Sequence, residues 1–143
     1  MPRAMPRWWA DAMLSFLNKY RPGYLPAIIW LGFSIYIFCL PGSSLPDYNW
    51  LIEINFDKLV HFGIFSVQVF LTCWGYRGRN PDTLSPTIPF LLFTSLAIVF
   101  GVVIEFLQDG YIPNRSFQVG DIVADTLGSV IGCWISVMSF YKK

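Results

Sequence analysis

Long apolar stretches separated by short polar segments dominate the pattern of the chain. An α-helix needs about 20 mostly apolar residues to cross roughly 30 Å of hydrocarbon. Four stretches come close to this length: Tyr24–Leu40, Leu59–Tyr76, Thr87–Gln108 and Asp121–Tyr141. Proline and glycine follow the first stretch, and a polar, proline-containing loop separates the second from the third. The pattern predicts an all-α membrane protein with four transmembrane helices.

The N-terminal segment has a different pattern. Trp9, Met13, Phe16 and Tyr20 recur at helical spacing, and the polar residues between them lie mostly on other faces. This predicts an amphipathic helix over Trp8–Tyr20 that lies at the membrane surface. Its polar interruptions are not those of a cleavable signal peptide. We therefore expect a cytoplasmic, interfacial segment over residues 1–23 and a transmembrane domain over residues 24–143.

Composition supports a membrane protein. The 143 residues are 55% hydrophobic and only 13% charged, whereas soluble domains carry about 25% charged residues. A net charge of +1 does not fit a polybasic nucleic-acid binder. We expect the lipid bilayer as the surroundings, no nucleic-acid partner and no cofactor. The three cysteines, Cys39, Cys73 and Cys133, are interpreted as small apolar core residues.

The distribution of positive charge favours a cytoplasmic N-terminus. Lysine and arginine accumulate in the cytoplasmic segments of membrane proteins. With four crossings and the N-terminus inside, 8 of the 10 lysines and arginines are cytoplasmic. They are Arg3, Arg7, Lys19, Arg21, Arg77, Arg79, Lys142 and Lys143, whereas Lys58 and Arg115 lie outside. We expect both termini in the cytoplasm.

The polar residues of the last three spans lie at one membrane level, on the outer side. Charges in hydrocarbon are costly, so such residues usually face a bundle interior or a water-filled cavity. Helical spacing gives each of these spans one polar face. The faces carry Asp57, His61 and Gln68, then Gly101, Glu105 and Gln108, and then Asp121, Asp125, Gly128 and Gly132. We expect them to converge on one outward-facing pocket, with Gly128 and Gly132 allowing close helix packing.

These residue types suit acid/base chemistry or the binding of an anion. His61 and Glu105 are the candidate catalytic acid and base. The candidate substrate-binding residues are Asp57, Lys58, Gln108, Arg115, Asp121 and Asp125, with Arg115 contacting a phosphate or carboxylate. His61 and the carboxylates also have the chemistry of metal ligands, but a lone histidine is a weak signal, and we expect no metal.

Structural roles for the same residues stay open. Asp121 can complement a helix dipole, and Lys58 can extend to the membrane interface. Arg115 can instead form a salt bridge with Glu105 or Asp125 that fixes the outer loop. Transport of ions is less favoured, because no ionisable residue marks a path toward the cytoplasmic side.

Four sequence blocks resemble the VanZ-like family of small polytopic bacterial membrane proteins. They are LPGSSLP from Leu40, FDKLVHFGIF from Phe56, GVVIEFLQ from Gly101 and PNRSFQVGDIVADTLGSVIG from Pro113. The blocks follow in the family's order and spacing, and residues 1–23 lie outside them. The family's characteristic positions correspond to Asp57, Lys58, His61, Glu105, Gln108, Arg115, Asp121 and Gly128. Asp125 stands where many members carry asparagine, which adds a carboxylate here.

The resemblance implies a protein of the bacterial cytoplasmic membrane with a role in the cell envelope. The family is named for a member linked to resistance to the glycopeptide antibiotic teicoplanin. Two functions follow as hypotheses. The first is a pocket for an anionic amphiphile, such as an envelope lipid or a glycopeptide. The second is an accessory subunit of a larger membrane complex, in which the polar residues are only architectural. A homo-oligomer is the alternative to such a complex.

Overall fold

The computed structural model describes Ser15, Lys19 and residues 23–44, 55–83 and 85–140 of the chain. Among these residues it contains four α-helices and no strand. The helices are α1 (Leu25–Phe38), α2 (Phe56–Arg79), α3 (Thr87–Tyr111) and α4 (Val119–Phe140), and a 3₁₀ turn covers Gly42–Ser44. Each predicted apolar stretch therefore forms a helix. The amphipathic helix predicted over Trp8–Tyr20 lies outside the described residues, apart from Ser15 and Lys19, which are helical.

Three of the helices have the length and composition of membrane spans. Helices α2, α3 and α4 contain 24, 25 and 22 residues and are apolar enough to cross a bilayer. The protein is thus a multi-pass membrane protein. Helix α1 has only 14 residues, or about 21 Å at 1.5 Å per residue. A fourth crossing through α1 stays a prediction.

Helices α2 and α4 run parallel and pack closely through glycine. A Cβ atom at Gly128 would collide with the backbone oxygen of Phe62, and one at Gly132 with that of Ser66. The two glycines lie four residues apart on one face of α4, and so do their two partners on α2. Gly-x-x-x-Gly spacing lets helix backbones approach in this way inside a membrane.

Helix α1 packs along α2 in the antiparallel direction. Gly23, just before α1, contacts Gly75 near the end of α2. Farther along, the Trp30 indole Nε1 donates a hydrogen bond of 3.0 Å to the Ile64 oxygen. Helices α1 and α3 therefore end where α2 and α4 begin, and this part of the molecule is called the polar end below.

Two apolar clusters fill the rest of the bundle. One contains Phe38, Ile64, Phe65 and Ile104 and lies next to the polar end. The other contains Val69, Cys73, Phe90, Cys133 and Phe140 and lies farther along the helices. Cys73 and Cys133 are thus core residues as expected. Cys39 is exposed, so the expectation was wrong for this residue, because α1 ends at Phe38 and Cys39 follows on the outer side of the turn.

Candidate functional site

Five predicted site residues form a buried polar cluster at the polar end. Their exposed fractions lie between 1% and 3%, and they come from α2, α3 and α4. The residues are His61, Glu105, Gln108, Asp121 and Asp125, named the His61 cluster below. An outward-facing pocket was expected here, but these side chains are packed inside the bundle. An opening toward the outside therefore stays a prediction.

His61 is held between two aspartates of α4. Its Nδ1 lies 2.9 Å from Asp125 Oδ1, a hydrogen bond in which the carboxylate accepts. Its Nε2 lies 3.9 Å from Asp121 Oδ2, which is too long for a hydrogen bond. A carboxylate on Nδ1 fixes the ring orientation and leaves Nε2 as the proton-accepting nitrogen of the neutral imidazole. This is the arrangement of a histidine that can act as a general base.

Glu105 binds the backbone at the beginning of α4. Its Oε1 accepts a short hydrogen bond from the backbone N–H of Gln118, the residue before α4 begins. A carboxylate at this place satisfies a free N–H group and complements the positive end of the helix dipole. Glu105 therefore connects α3 to α4, in addition to any chemical role.

Helix α3 also contacts Asp125 directly. A Cβ atom at Gly101 would lie 2.7 Å from Asp125 Oδ2. Only glycine leaves room for the carboxylate at this distance from the α3 backbone. Gly101 thus lets Asp125 lie between α3 and the His61 ring.

Lys58 lies at the edge of the cluster. Its Nζ is 3.2 Å from Asp57 Oδ2, 3.7 Å from Asp121 Oδ1 and 3.3 Å from Gln118 Oε1. The Lys58 side chain keeps 31% of its surface exposed. It therefore places one positive charge between Asp121 and the surface of the bundle. Asp57 is half-buried at the start of α2 and faces Lys58 rather than His61.

Polar groups of α3 and the following loop bind the segment after α1. Gln108 Nε2 donates a hydrogen bond of 2.9 Å to the Phe38 oxygen, and Arg115 Nε one of 3.5 Å to the Leu40 oxygen. The Gly42 N–H donates to the Pro113 oxygen at 3.0 Å. The Phe38 ring is held in this way 4.7 Å from the His61 ring, between centroids. Phe38 is thus the apolar wall of the cluster.

No carboxylate within the described ranges forms an ion pair with Arg115. The expected alternative, a salt bridge from Arg115 to Glu105 or Asp125, is therefore not formed. The physical reason is that Arg115 lies in the α3–α4 loop, where its Nε contacts the Leu40 carbonyl. The terminal guanidinium nitrogens keep their hydrogen-bonding capacity for another group.

Three buried carboxylate oxygens have no hydrogen-bond donor in the part of the chain that is described. They are Glu105 Oε2, Asp121 Oδ1 and Asp125 Oδ2, and the Ser129 hydroxyl one turn farther along α4 is also without a partner. Among the described residues, no group of three or more His, Cys, Asp or Glu side chains is arranged to hold a metal ion. Unpaired buried acceptors are costly and are often satisfied by a proton, a water molecule or a ligand.

Two parts of the site differ from the sequence interpretation. Gln68 was expected to converge with His61 on one pocket, but it donates to the Ala27 oxygen of α1 and to Thr72. Gln68 follows His61 by seven residues, so it lies about two helical turns, or roughly 10 Å, farther from the polar end. Phe38 and Gln118 were missed, since Phe38 belongs to a uniformly apolar stretch and Gln118 acts partly through its backbone. No pattern in the sequence marks Phe38 or Gln118 as part of the site.

Comparison with known proteins gives one match. No curated protein and no solved structure is significantly similar to the chain. The sequence model of the VanZ/LLP1 family matches residues 14–140. The match is wider than the four sequence blocks and includes the end of the N-terminal segment, which was expected to lie outside the resemblance. Since it covers most of the 143 residues, the protein belongs to the VanZ/LLP1 family.

Proposed function

We propose that this protein works in the bacterial cell envelope by binding the head group of an anionic amphiphile at the polar end of its helices. An envelope lipid and a lipid-bearing glycopeptide of the teicoplanin class share this chemistry. The link to glycopeptide resistance is carried over from the family member that gave the family its name. His61 and Glu105 are the proposed acid and base, and Asp121 and Asp125 orient the histidine.

One observation carries the proposal: His61 is oriented by Asp125 at 2.9 Å, while its Nε2, 3.9 Å from Asp121 Oδ2, has no hydrogen-bond partner among the described residues. A histidine that only stabilises the fold usually has both ring nitrogens in hydrogen bonds. Glu105 Oε2 and Asp125 Oδ2, which have no hydrogen-bond donor among the described residues, lie in the same cluster. These groups are suited to exchanging protons with a bound molecule.

The surroundings of Arg115 favour an anionic ligand. Its terminal nitrogens have no carboxylate partner within the described ranges, and the half-buried residue lies at the polar end, where its Nε contacts the Leu40 oxygen. A planar guanidinium binds phosphate or carboxylate groups through two hydrogen bonds at once. Lys58 supplies a second positive charge at the same end of the bundle.

The charge distribution supports an orientation with the polar end outside. In this proposal the protein lies in the cytoplasmic membrane, α1 is a crossing, and both termini are cytoplasmic. The antiparallel packing of α1 along α2 agrees with four alternating crossings. Arg77 and Arg79 end α2 at the opposite side from the His61 cluster, as the positive-inside rule requires. The interfacial segment over residues 1–23 remains part of the same proposal.

Side-chain replacement tests the site. Glu105→Gln and His61→Ala should abolish a teicoplanin-susceptibility phenotype, or another envelope phenotype of the deletion strain, without lowering protein accumulation. Asp82→Asn is the matched control, since Asp82 is exposed in the loop between α2 and α3. If both cluster variants accumulate and keep every envelope phenotype, the cluster is not a working site.

Lipid analysis tests the ligand. The protein is isolated in a gentle detergent at native expression, and co-purifying lipids and proteins are identified by mass spectrometry. An anionic lipid that is enriched with the wild-type protein and lost with Arg115→Ala supports the proposal. Equal lipid content in both samples contradicts Arg115 as the anion contact.

A second candidate function is an accessory subunit of a larger membrane complex. It is favoured by the burial of the His61 cluster. Close packing also favours it, because Asp125 lies against Gly101 of α3 and Gly128 lies against the Phe62 backbone of α2. In that case the cluster only holds α2, α3 and α4 together. Stoichiometric co-migration with a larger assembly in native electrophoresis supports the subunit, whereas a lone monomer or homo-oligomer contradicts it.

A further inference from the structure

An apolar groove lies between α1 and α2 on the outside of the bundle. It has a volume of about 350 Å³ and is open to the surroundings of the bundle. Its walls include Trp30, Phe33 and Ile37 of α1, and Val60, Gly63 and Ile64 of α2. The Trp30 indole N–H is already donated to the Ile64 oxygen. The groove therefore presents an apolar surface to any molecule that binds there.

The groove is adjacent to the His61 cluster. Val60 and Ile64 of its wall flank His61 along α2, and Ile37 precedes Phe38. The Phe38 ring packs against Phe65 on one side and His61 on the other. Phe38 thus contacts the His61 ring directly and follows Ile37 of the groove wall in the chain.

The groove runs along the helices from the polar end toward the middle of the spans. It uses α1 from Trp30 to Ile37 and the first half of α2, so it begins near the polar end and extends toward the middle of the spans. A molecule with its head group at the polar end would have its tail at this depth. Hydrocarbon is the chemistry that matches an apolar wall in contact with a bilayer.

We propose that this groove binds the hydrocarbon chain of the amphiphile whose head group reaches the His61 cluster. This inference rests on the proposed function and names its substrate class, a lipid-like molecule with a long chain.

Two glycines with open space around them allow the groove to be tested by substitution. A Cβ atom at Gly63 meets nothing within 4 Å, so a larger side chain there would fill the groove without displacing the backbone. Gly32 of α1 is equally open but is not part of the groove wall. Gly63→Leu and Gly32→Leu are therefore a matched pair with the same change in side chain and in helix propensity.

The experiment uses the full-length protein in phosphatidylcholine vesicles that contain phosphatidylglycerol with a photoactivatable diazirine on one acyl chain. After illumination, labelled residues are identified by mass spectrometry. Labelling of Leu59 and Val67 beside the groove is compared with labelling of Leu92 and Leu96, which are exposed on α3. We expect labelling at the groove to exceed that on α3, and Gly63→Leu to reduce it by about tenfold, equivalent to about 1.4 kcal/mol of binding. Gly32→Leu should leave it unchanged.

Equal labelling of the groove and of α3 in the wild-type protein would overturn the proposal, as would labelling that survives Gly63→Leu. His61→Ala separates the two proposals. If that variant keeps both the groove labelling and the envelope phenotype, the chain site stands and the proposed function fails.

Discussion

His61 Nδ1 lies 2.9 Å from Asp125 Oδ1, and both side chains are almost completely buried between α2 and α4. Because these two helices run parallel, the contact joins them about one turn beyond the Lys58–Asp121 ion pair. The histidine is therefore fixed both in orientation and in depth. A hydrogen bond of this kind has a structural effect and a chemical effect, and substitutions at Asp125 separate the two.

We expect Asp125→Asn to fold normally and Asp125→Leu to be destabilised. Asparagine keeps an oxygen that accepts the His61 hydrogen bond, so the free energy of unfolding should change by less than about 1 kcal/mol. Leucine leaves His61 Nδ1 buried without a partner, which costs about 1–3 kcal/mol. The measurement is thermal unfolding of the detergent-solubilised protein.

The same pair of variants tests the chemistry. Asparagine cannot stabilise a positively charged imidazole as a carboxylate does, so Asp125→Asn should lose the envelope function while keeping its stability. Full function with asparagine would mean that Asp125 acts only as a hydrogen-bond acceptor. Equal unfolding temperatures for the two variants would contradict the structural part of the argument.

Replacement of Gly128 by alanine should weaken the packing of α2 on α4. The added methyl group would meet the Phe62 carbonyl, and forcing helices apart in a packed core costs about 1–3 kcal/mol. Gly110→Ala is the control, because nothing lies within 4 Å of that position. Unfolding in mixed micelles of increasing denaturing-detergent content gives both values. A Gly128→Ala protein as stable as the control would show that α2 and α4 can separate freely.

The helices were predictable because each is a long apolar stretch ended by glycine, proline or polar residues. The bounds differ where polar residues continue a helix: Arg77 and Arg79 belong to α2, although they were assigned to the following loop. Arg77 donates to the carbonyls of Asn80 and Thr83, which allows a charged residue to end a membrane helix. Hydropathy alone does not contain this information.

The polar residues of the site were predictable in part. Helical spacing placed His61, Glu105 and Asp125 on inward faces, because charged groups avoid lipid. Spacing does not give the partner of each group, since that depends on how helices are offset along their axes. The contacts of Gln68 with α1 and of Arg115 with the Leu40 carbonyl depend on such offsets. Phe38 could not be predicted, because every face of α1 is apolar.

Gln108 should control how often the end of α1 opens. Its amide donates to the Phe38 oxygen, and both residues are buried. Gln108→Leu removes the donor and should speed hydrogen exchange of the Cys39 backbone N–H, which is bonded to the Ile35 oxygen, by about fivefold, the effect of a hydrogen bond worth about 1 kcal/mol. Gln68→Leu is the control, since Gln68 donates to Ala27 in the other half of α1. Equal rates in both variants would show that Gln108 does not hold Phe38 in place.

The single exposed cysteine among the described residues also tests the orientation of the protein. Cys39 follows α1 at the polar end, whereas Cys73 and Cys133 are buried in the apolar core. If the polar end is outside, a membrane-impermeant maleimide added to intact cells should label Cys39, and Cys39→Ser should lose the label. Asp82→Cys in the Cys39→Ser background is the reciprocal probe, because Asp82 is exposed between α2 and α3 at the opposite end. It should react only after the membrane is permeabilised. Labelling of Asp82→Cys in intact cells, together with no labelling of Cys39 in the wild-type protein, would invert the proposed topology.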